Sequence, residues 1–142
     1  MSELAGLPEW LGELLVLAAA ALAYFTFAAF IRWLTYRRLL KKRDNPTERE
    51  FLSAMQQSGV SPEVAAFLWV NALSYVEPHL APHPDDLLGD DLMIDEDDWG
   101  LDWPREWAAE NDFDESHMAE WPRGMPPTVR NYGLWLSLGP AA

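Results

Sequence analysis

The longest apolar stretch of the chain lies near its N-terminus. Between Glu13 and Arg32 stand 18 consecutive uncharged residues, LLVLAAAALAYFTFAAFI. In a helix that rises 1.5 Å per residue, this stretch extends about 27 Å, close to the roughly 30 Å hydrocarbon thickness of a bilayer. Aromatic residues, which favour the membrane interfaces, flank it at Trp10, Trp33 and Tyr36. The pattern predicts a transmembrane helix.

Two other interpretations of this stretch are a buried core helix and a cleavable signal peptide. A domain this small could hardly bury every face of such a helix. The residues before the stretch are acidic (Glu3, Glu9 and Glu13), whereas a signal peptide begins with a positively charged region. We therefore predict an uncleaved single-span anchor within residues 1–36, preceded by a short exterior N-terminus.

Helix signals then recur along the soluble part. Thr47 and Glu50 form a capping box, which predicts a short helix that ends near Ser58 and Gly59. Ser61 and Pro62 predict the start of a second helix, whose apolar residues continue at helical spacing to about Glu77. A last helix is predicted to begin after Thr128 and to end at Gly139.

A further helix is predicted in the acidic segment between these elements, from Asp102 to about Asn111. Asp102 would cap it, and Pro104 is tolerated in a first turn. If the helix begins at Asp98 instead, Pro104 lies inside it and must kink it. Alternation of apolar and polar residues is nowhere sustained, so no strand is predicted.

The predicted fold class is therefore all-α. A single N-terminal transmembrane helix is followed by a small bundle of three to four short helices with long loops. The predicted divisions are the anchor in residues 1–36, a basic juxtamembrane segment and connector helix in residues 37–60, and an acidic helical domain in residues 61–142.

The charge is distributed unevenly. The net charge is −13 in total. Residues 1–49 hold seven bases and five acids, whereas residues 50–142 hold three bases and 18 acids. A body this acidic repels phosphates, so we expect no binding to nucleic acid.

Six of the bases directly follow the apolar stretch, in RWLTYRRLLKKR, and none precedes it. Such a cluster is retained on the cytoplasmic side, which predicts a single-pass protein of the inner (cytoplasmic) membrane with its N-terminus outside. The cluster either serves as a topology signal alone or also attracts anionic lipid. The candidate lipid-binding residues are Arg37, Arg38, Lys41, Lys42 and Arg43.

Candidate chemistry is sparse. The chain has no cysteine, which excludes disulfides, thiolate metal sites and cysteine nucleophiles. No glycine-rich phosphate loop and no nucleophile–histidine–acid grouping can be assigned. We therefore predict no catalytic residue, no resident metal and no cofactor.

A calcium loop is the sharpest metal alternative. If Asp95 is position 1 of a twelve-residue loop, Asp97 and Glu106 occupy positions 3 and 12. Position 5 is Trp99, which offers no side-chain oxygen, and Pro104 intrudes at position 10. The acidic stretch is interpreted as a solvated loop, with Asp95, Asp97 and Glu106 as weak metal candidates.

Three tryptophans stand four residues apart in this segment: Trp99, Trp103 and Trp107. On a helix they share one face, which either packs against the Val64–Val76 helix or docks a partner, since tryptophan is enriched among interface anchors. The candidate partner-binding set is these three rings with Asp97 and Asp98.

The order of elements from residue 61 to 138 resembles an acyl carrier protein. The stretch AAENDFD, residues 108–114, is similar to the end of that family's second helix, and TVRNYGLWL, residues 128–136, to its last helix. The resemblance is closest to bacterial carrier-like domains of unknown function. It implies an acyl-carrier-like bundle, but the position of the serine that holds phosphopantetheine falls on Trp99, which has no hydroxyl to carry the group.

The predicted function is a membrane-anchored, non-enzymatic module that binds a protein with a basic surface. A membrane-associated carrier or accessory protein of lipid or acyl metabolism and a calcium-responsive membrane anchor are the alternatives.

Overall fold

The computed structural model describes residue 6 and residues 8–140. The start of the predicted exterior N-terminus, residues 1–5 and 7, lies outside the described residues. Within those residues the regular structure is helical, which confirms the all-α prediction, and the only pairings of strand type are two isolated bridges. The α-helices are α1 (Glu9–Lys42), α2 (Glu48–Gln57), α3 (Pro62–Val76), α4 (Trp103–Glu110) and α5 (Val129–Ser137).

The chain divides into two compact units, one through Thr35 and one from Tyr36 onward. The first unit contains most of α1, which is long and apolar enough to cross a membrane and has a mean hydropathy of 2.4 in its most apolar window. None of that window is buried. Leu22, for example, is 70% exposed and Phe25 is 67% exposed. The interpretation of this stretch as a buried core helix is therefore wrong.

Three helices of the second unit begin at the predicted caps. The hydroxyl oxygens of Thr47, Ser61 and Thr128 accept hydrogen bonds from backbone N–H groups three residues later, at 3.2, 3.3 and 3.1 Å. Each bond satisfies one of the N–H groups that a helix leaves without an internal partner. Gly59 adopts a φ of 100°, which ends α2 in the left-handed conformation that glycine favours.

A single hydrophobic core fills the second unit. It takes Tyr36 from the end of α1, Phe51 and Met55 from α2, and further residues from α3, α4 and α5. The helix α2, which was predicted as a connector helix, therefore contributes to this core. The reason is visible in the side chains: Phe51 and Met55 are fully buried.

The close approach of α2 and α5 depends on Gly133. A Cβ atom at this position would lie 2.7 Å from the Met55 methyl carbon and 3.1 Å from both Val60 methyl carbons. A side chain at this position would force the Met55 and Val60 side chains to shift, so glycine suits the close packing of α5 on α2.

The predicted helix of the acidic segment is α4, which begins at Trp103 and ends at Glu110, close to the predicted bounds. A π turn over Asp98–Asp102 leads directly into α4, and the N–H of Trp103 donates to the carbonyl of Asp98, five residues back. Asp102 makes no side-chain cap. Pro104, which has no N–H to donate, lies in the first turn of α4, as the prediction of a helix from Asp102 to about Asn111 requires.

Candidate functional site

The three tryptophans of the acidic segment face the core. Trp103 is 3% exposed and Trp107 is 8% exposed. The Trp107 ring meets the Phe67 ring of α3 edge-on, with 5.2 Å between centroids. The packing interpretation therefore describes Trp103 and Trp107, whose rings are largely withdrawn from solvent. The two rings are buried because they cover the apolar surface of α3, which would otherwise be exposed to water.

Trp99 stands in the π turn and is only partly buried. Its carbonyl accepts a hydrogen bond from the Tyr132 hydroxyl, and its ring meets the Tyr132 ring at 89°. The indole N–H of Trp99 has no partner among the described residues. Trp99 thus joins the π turn to α5 through Tyr132.

Tyr132 is the centre of an aromatic cluster. Its ring lies within 6.2 Å, between centroids, of the rings of Trp99, Trp103, Trp121 and Trp135. Burial raises the pKa of the Tyr132 phenol. The cluster holds together α5, the π turn and the irregular segment around Trp121, and no repeating pattern in the sequence indicates it.

In the acidic turn, residues 95–98, a side chain stabilises the local backbone. The carboxylate Oδ1 of Asp95 accepts from the N–H of Asp97 at 2.9 Å, which is a local turn stabilised by a side chain. Asp95, Asp97 and Glu106, the weak calcium candidates, are all exposed. Within residues 6 and 8–140, no group of three acids or histidines is arranged to hold a metal ion.

Asp98 contacts α3 through Tyr75. Burial, a hydrogen bond with Asp98 and the negative charges of Asp98, Asp102 and Asp95 raise the pKa of Tyr75 to about 12. Of the two acids in the candidate partner-binding set, Asp97 is therefore the exposed one and Asp98 is partly engaged within the unit. The carboxylates of this turn form a negative surface, and their charges also raise the pKa of Tyr75 in the same unit.

The most heavily bonded ion pair in the second unit joins Arg43 to Asp86. The guanidinium donates from Nε to Oδ1 at 3.0 Å and from Nη2 to Oδ2 at 2.6 Å. Nη2 also donates to the carbonyl of Ala81 at 2.9 Å. The side chains are only 11% and 2% exposed. This two-bond fork is the geometry in which arginine pairs most strongly with a carboxylate.

Asp86 accepts further hydrogen bonds through its carboxylate and its backbone carbonyl. Its Oδ2 accepts from the N–H of His83 at 2.8 Å, and its carbonyl accepts from the N–H of Val129, the first residue of α5. Burial raises the pKa of Asp86, and the Arg43 guanidinium and the His83 N–H oppose that rise because they stabilise the carboxylate. Asp86 thereby links the end of α1 to the start of α5.

This pair corrects the predicted lipid-binding set. Arg43 directs its guanidinium to Asp86, Ala81 and the neighbouring Asp44 carbonyl, so its donors are engaged within the second unit. The other members of the set are exposed: Arg37, Arg38, Lys41 and Lys42. Sequence reasoning missed the role of Arg43 because a base that follows a predicted span is expected to meet headgroups.

A second long-range arginine was also missed. Arg130, in the first turn of α5, forms an ion pair with Asp85 and donates from Nε to the Ser58 hydroxyl at 2.8 Å. Its N–H donates to the carbonyl of Pro84 at 2.8 Å. Together with the neighbouring Asp86 contacts, these bonds attach residues 84–86, in the loop after α3, to α5.

The comparisons with known proteins identify no relative. No protein-family model, curated protein or solved structure matches the chain. The resemblance to acyl carrier proteins therefore stays a prediction.

Proposed function

We propose that this protein is a membrane-anchored, non-enzymatic interaction module. Residues 14–31 span the cytoplasmic membrane, and the acidic unit from Tyr36 onward binds a protein with a basic surface at the cytoplasmic face. In this proposal the acyl-carrier-like bundle serves as a scaffold without a prosthetic group, because Trp99 occupies the position of the acceptor serine.

The observation that carries the anchor is the exposed apolar surface of α1. Between positions 14 and 30, nine large apolar side chains are each at least half exposed: Leu14, Leu15, Val16, Leu17, Leu22, Tyr24, Phe25, Phe27 and Phe30. Soluble monomers rarely expose a contiguous apolar patch beyond a few hundred Å². Transfer of each such side chain from water into an apolar medium is favourable by about 2 kcal/mol.

The charge distribution supports the orientation. All six bases near the apolar stretch lie on its C-terminal side, and Glu9 and Glu13 lie on its N-terminal side. The exposed members of the cluster, such as Lys41 and Lys42, suit the negatively charged cytoplasmic leaflet.

The charge of the second unit supports a basic partner. After Asp44 the chain has only four arginines, and two of them, Arg105 and Arg130, already form ion pairs with Glu115 and Asp85. The remaining excess of exposed carboxylates would accelerate the approach of a positively charged protein.

One substitution tests the anchor. Leu22→Arg places a charge near the centre of the span, at a cost of about 3 kcal/mol for insertion. We expect the wild-type protein to remain in the membrane pellet after alkaline extraction and the variant to be released in part. Leu138→Arg is the matched control, because Leu138 is equally exposed but lies after α5. Complete release of the wild-type protein would overturn the anchor.

The absence of cysteine makes the orientation directly measurable. Single variants Gly6→Cys and Glu120→Cys place a thiol on either side of the proposed span, both at exposed positions. In sealed spheroplasts, a membrane-impermeant maleimide should label the first variant and should label the second only after lysis. Labelling of Glu120→Cys in intact spheroplasts would show that the protein has the opposite orientation.

A further inference from the structure

A cleft of about 470 Å³ lies between α3 and α4 in the second unit. It is lined by four apolar residues, three carboxylates and two asparagines: Ala66, Phe67, Val70 and Trp107, then Glu63, Glu106 and Glu110, then Asn71 and Asn111. No arginine, lysine or histidine lines this cleft. An apolar floor with a negative border is a combination that neither the tryptophan pattern nor the acidic turn predicted.

Val70 distinguishes the cleft from ordinary helix packing. It is 64% exposed, although the neighbouring Phe67 and Trp107 rings are almost fully buried against each other. Val70 therefore extends the apolar surface of that ring pair out to solvent. A partner that covers Val70 would gain the transfer free energy of an apolar side chain.

The carboxylates on the border are available for a partner. Glu63, Glu106 and Glu110 are exposed. In the part of the chain that the structure describes, none of the three takes part in an ion pair. The nearest base along α4, Arg105, is already paired with Glu115. Their charges are thus uncompensated around an apolar surface.

We propose that this cleft binds a basic amphipathic helix of a partner protein. The cleft follows α3 from Glu63 to Val70, which is two helical turns, or about 10 Å. A helix with apolar residues on one face would cover Val70 and the edges of the two rings, while lysines or arginines beside that face would pair with the three glutamates. This inference rests on the proposed function and names the site and the chemistry of its partner.

The test uses the full chain in nanodiscs of zwitterionic lipid, with empty nanodiscs as the background. The probe is a fluorescent helical peptide of about four turns, with leucines on one face and lysines on its flanks. A second peptide carries glutamates in place of the lysines. Fluorescence anisotropy should show saturable binding of the lysine peptide only, weakened by added salt.

Two triple variants locate the binding site. Glu63→Gln, Glu106→Gln and Glu110→Gln together remove the charges of the cleft. Asp90→Asn, Glu96→Gln and Glu120→Gln remove as much charge from exposed positions outside it. We expect the first variant to bind about tenfold more weakly, as three exposed ion pairs are lost, and the second to change far less.

Val70→Asn tests the apolar floor without a change in charge, and Val70 is exposed enough for the substitution to leave the fold intact. Binding should weaken about fivefold. If the two triple variants lose the same affinity for the lysine peptide, or if Val70→Asn binds it unchanged, the cleft is not the binding site. The proposal that the acidic unit binds a basic partner would remain. If the wild-type protein binds the two peptides equally, the basic partner of the proposed function is lost as well, whereas the anchor is judged separately by Leu22→Arg.

Discussion

Arg43 and Asp86 stand 43 positions apart in the sequence and form a doubly bonded ion pair with a shortest distance of 2.6 Å. The pair connects the residue that directly follows α1 to the loop after α3, beside the start of α5. Both side chains are largely shielded from solvent, so the arrangement is far more sensitive to mutation than a surface ion pair is.

Asp86→Ala should destabilise the second unit strongly. The substitution leaves the Arg43 guanidinium buried without a counter-charge, which should lower the free energy of unfolding by about 3–5 kcal/mol. Urea unfolding of the full chain in detergent micelles, followed by tryptophan fluorescence, measures the change. Glu115→Ala is the control: it breaks the exposed pair with Arg105 and should cost less than about 1 kcal/mol. Similar losses in both variants would contradict the importance of burial.

Gly133→Ala should destabilise the contact between α2 and α5. The new methyl group would meet the Met55 and Val60 side chains at distances too short for a normal contact. We expect a loss of about 1–3 kcal/mol, as for other overpacked cores, in the same unfolding measurement. Gly89→Ala has open space around its Cβ position and should leave stability nearly unchanged. A neutral Gly133→Ala variant would mean that the core yields at this point.

Tyr75 should make the protein less stable at high pH. Its pKa is raised from 10.0 to about 12, so the native state holds the phenolic proton more tightly than the unfolded chain does. This contribution to stability is fully present below pH 10 and is lost as the pH rises through about 12. Tyr75→Phe should flatten that decline, measured by unfolding at a series of alkaline pH values.

Asp98→Asn tests the cause of the same shift. The substitution removes the negative charge of Asp98 and replaces its carboxylate with a weaker, neutral acceptor, so it should lower the pKa of Tyr75 toward its ordinary value without reaching it, because burial is the largest cause. Ultraviolet titration of the tyrosinates should show one transition moving to lower pH. No movement would exclude Asp98 as a contributor.

Trp107→Ala should impair folding before it impairs any interaction. Trp107 packs against Phe67 in the core, so its truncation should cost about 3–5 kcal/mol of stability in a thermal or urea unfolding experiment. Loss of a partner from this variant would therefore not identify Trp107 as a docking residue. Val70→Asn, at the exposed edge of the same surface, is the appropriate comparison, and equal stability of the two variants would contradict the assignment of Trp107 to the core.

The features that were predictable from the sequence are local ones. A cap such as Thr47 or Ser61 bonds to an N–H three residues away, so the residues that make it stand together in the printed sequence. The long apolar stretch is equally self-contained, because a helix that satisfies its own backbone needs no distant partner to be recognised.

The features that were missed depend on distant pairs. Asp86 is one of many acids in its segment, and nothing near it in the sequence indicates that it meets Arg43. The spacing of the tryptophans suggested a shared helix face, but periodicity alone could not decide between the core and a partner. Trp107 is buried because Phe67 of α3 packs against its ring, and the sequence pattern does not show this contact.

The pairing of Arg43 also bears on how the second unit can be produced separately. A truncated fragment could start at residue 61, the predicted start of the acidic helical domain. It would lack Phe51, Met55 and Arg43, and its Asp86 would have lost the arginine that neutralises it. Expression of such a fragment should yield aggregated material. A fragment that starts at Tyr36 keeps both the buried tyrosine, whose hydroxyl donates to the Leu92 carbonyl at 2.6 Å, and the arginine, and is the one to choose for crystallisation.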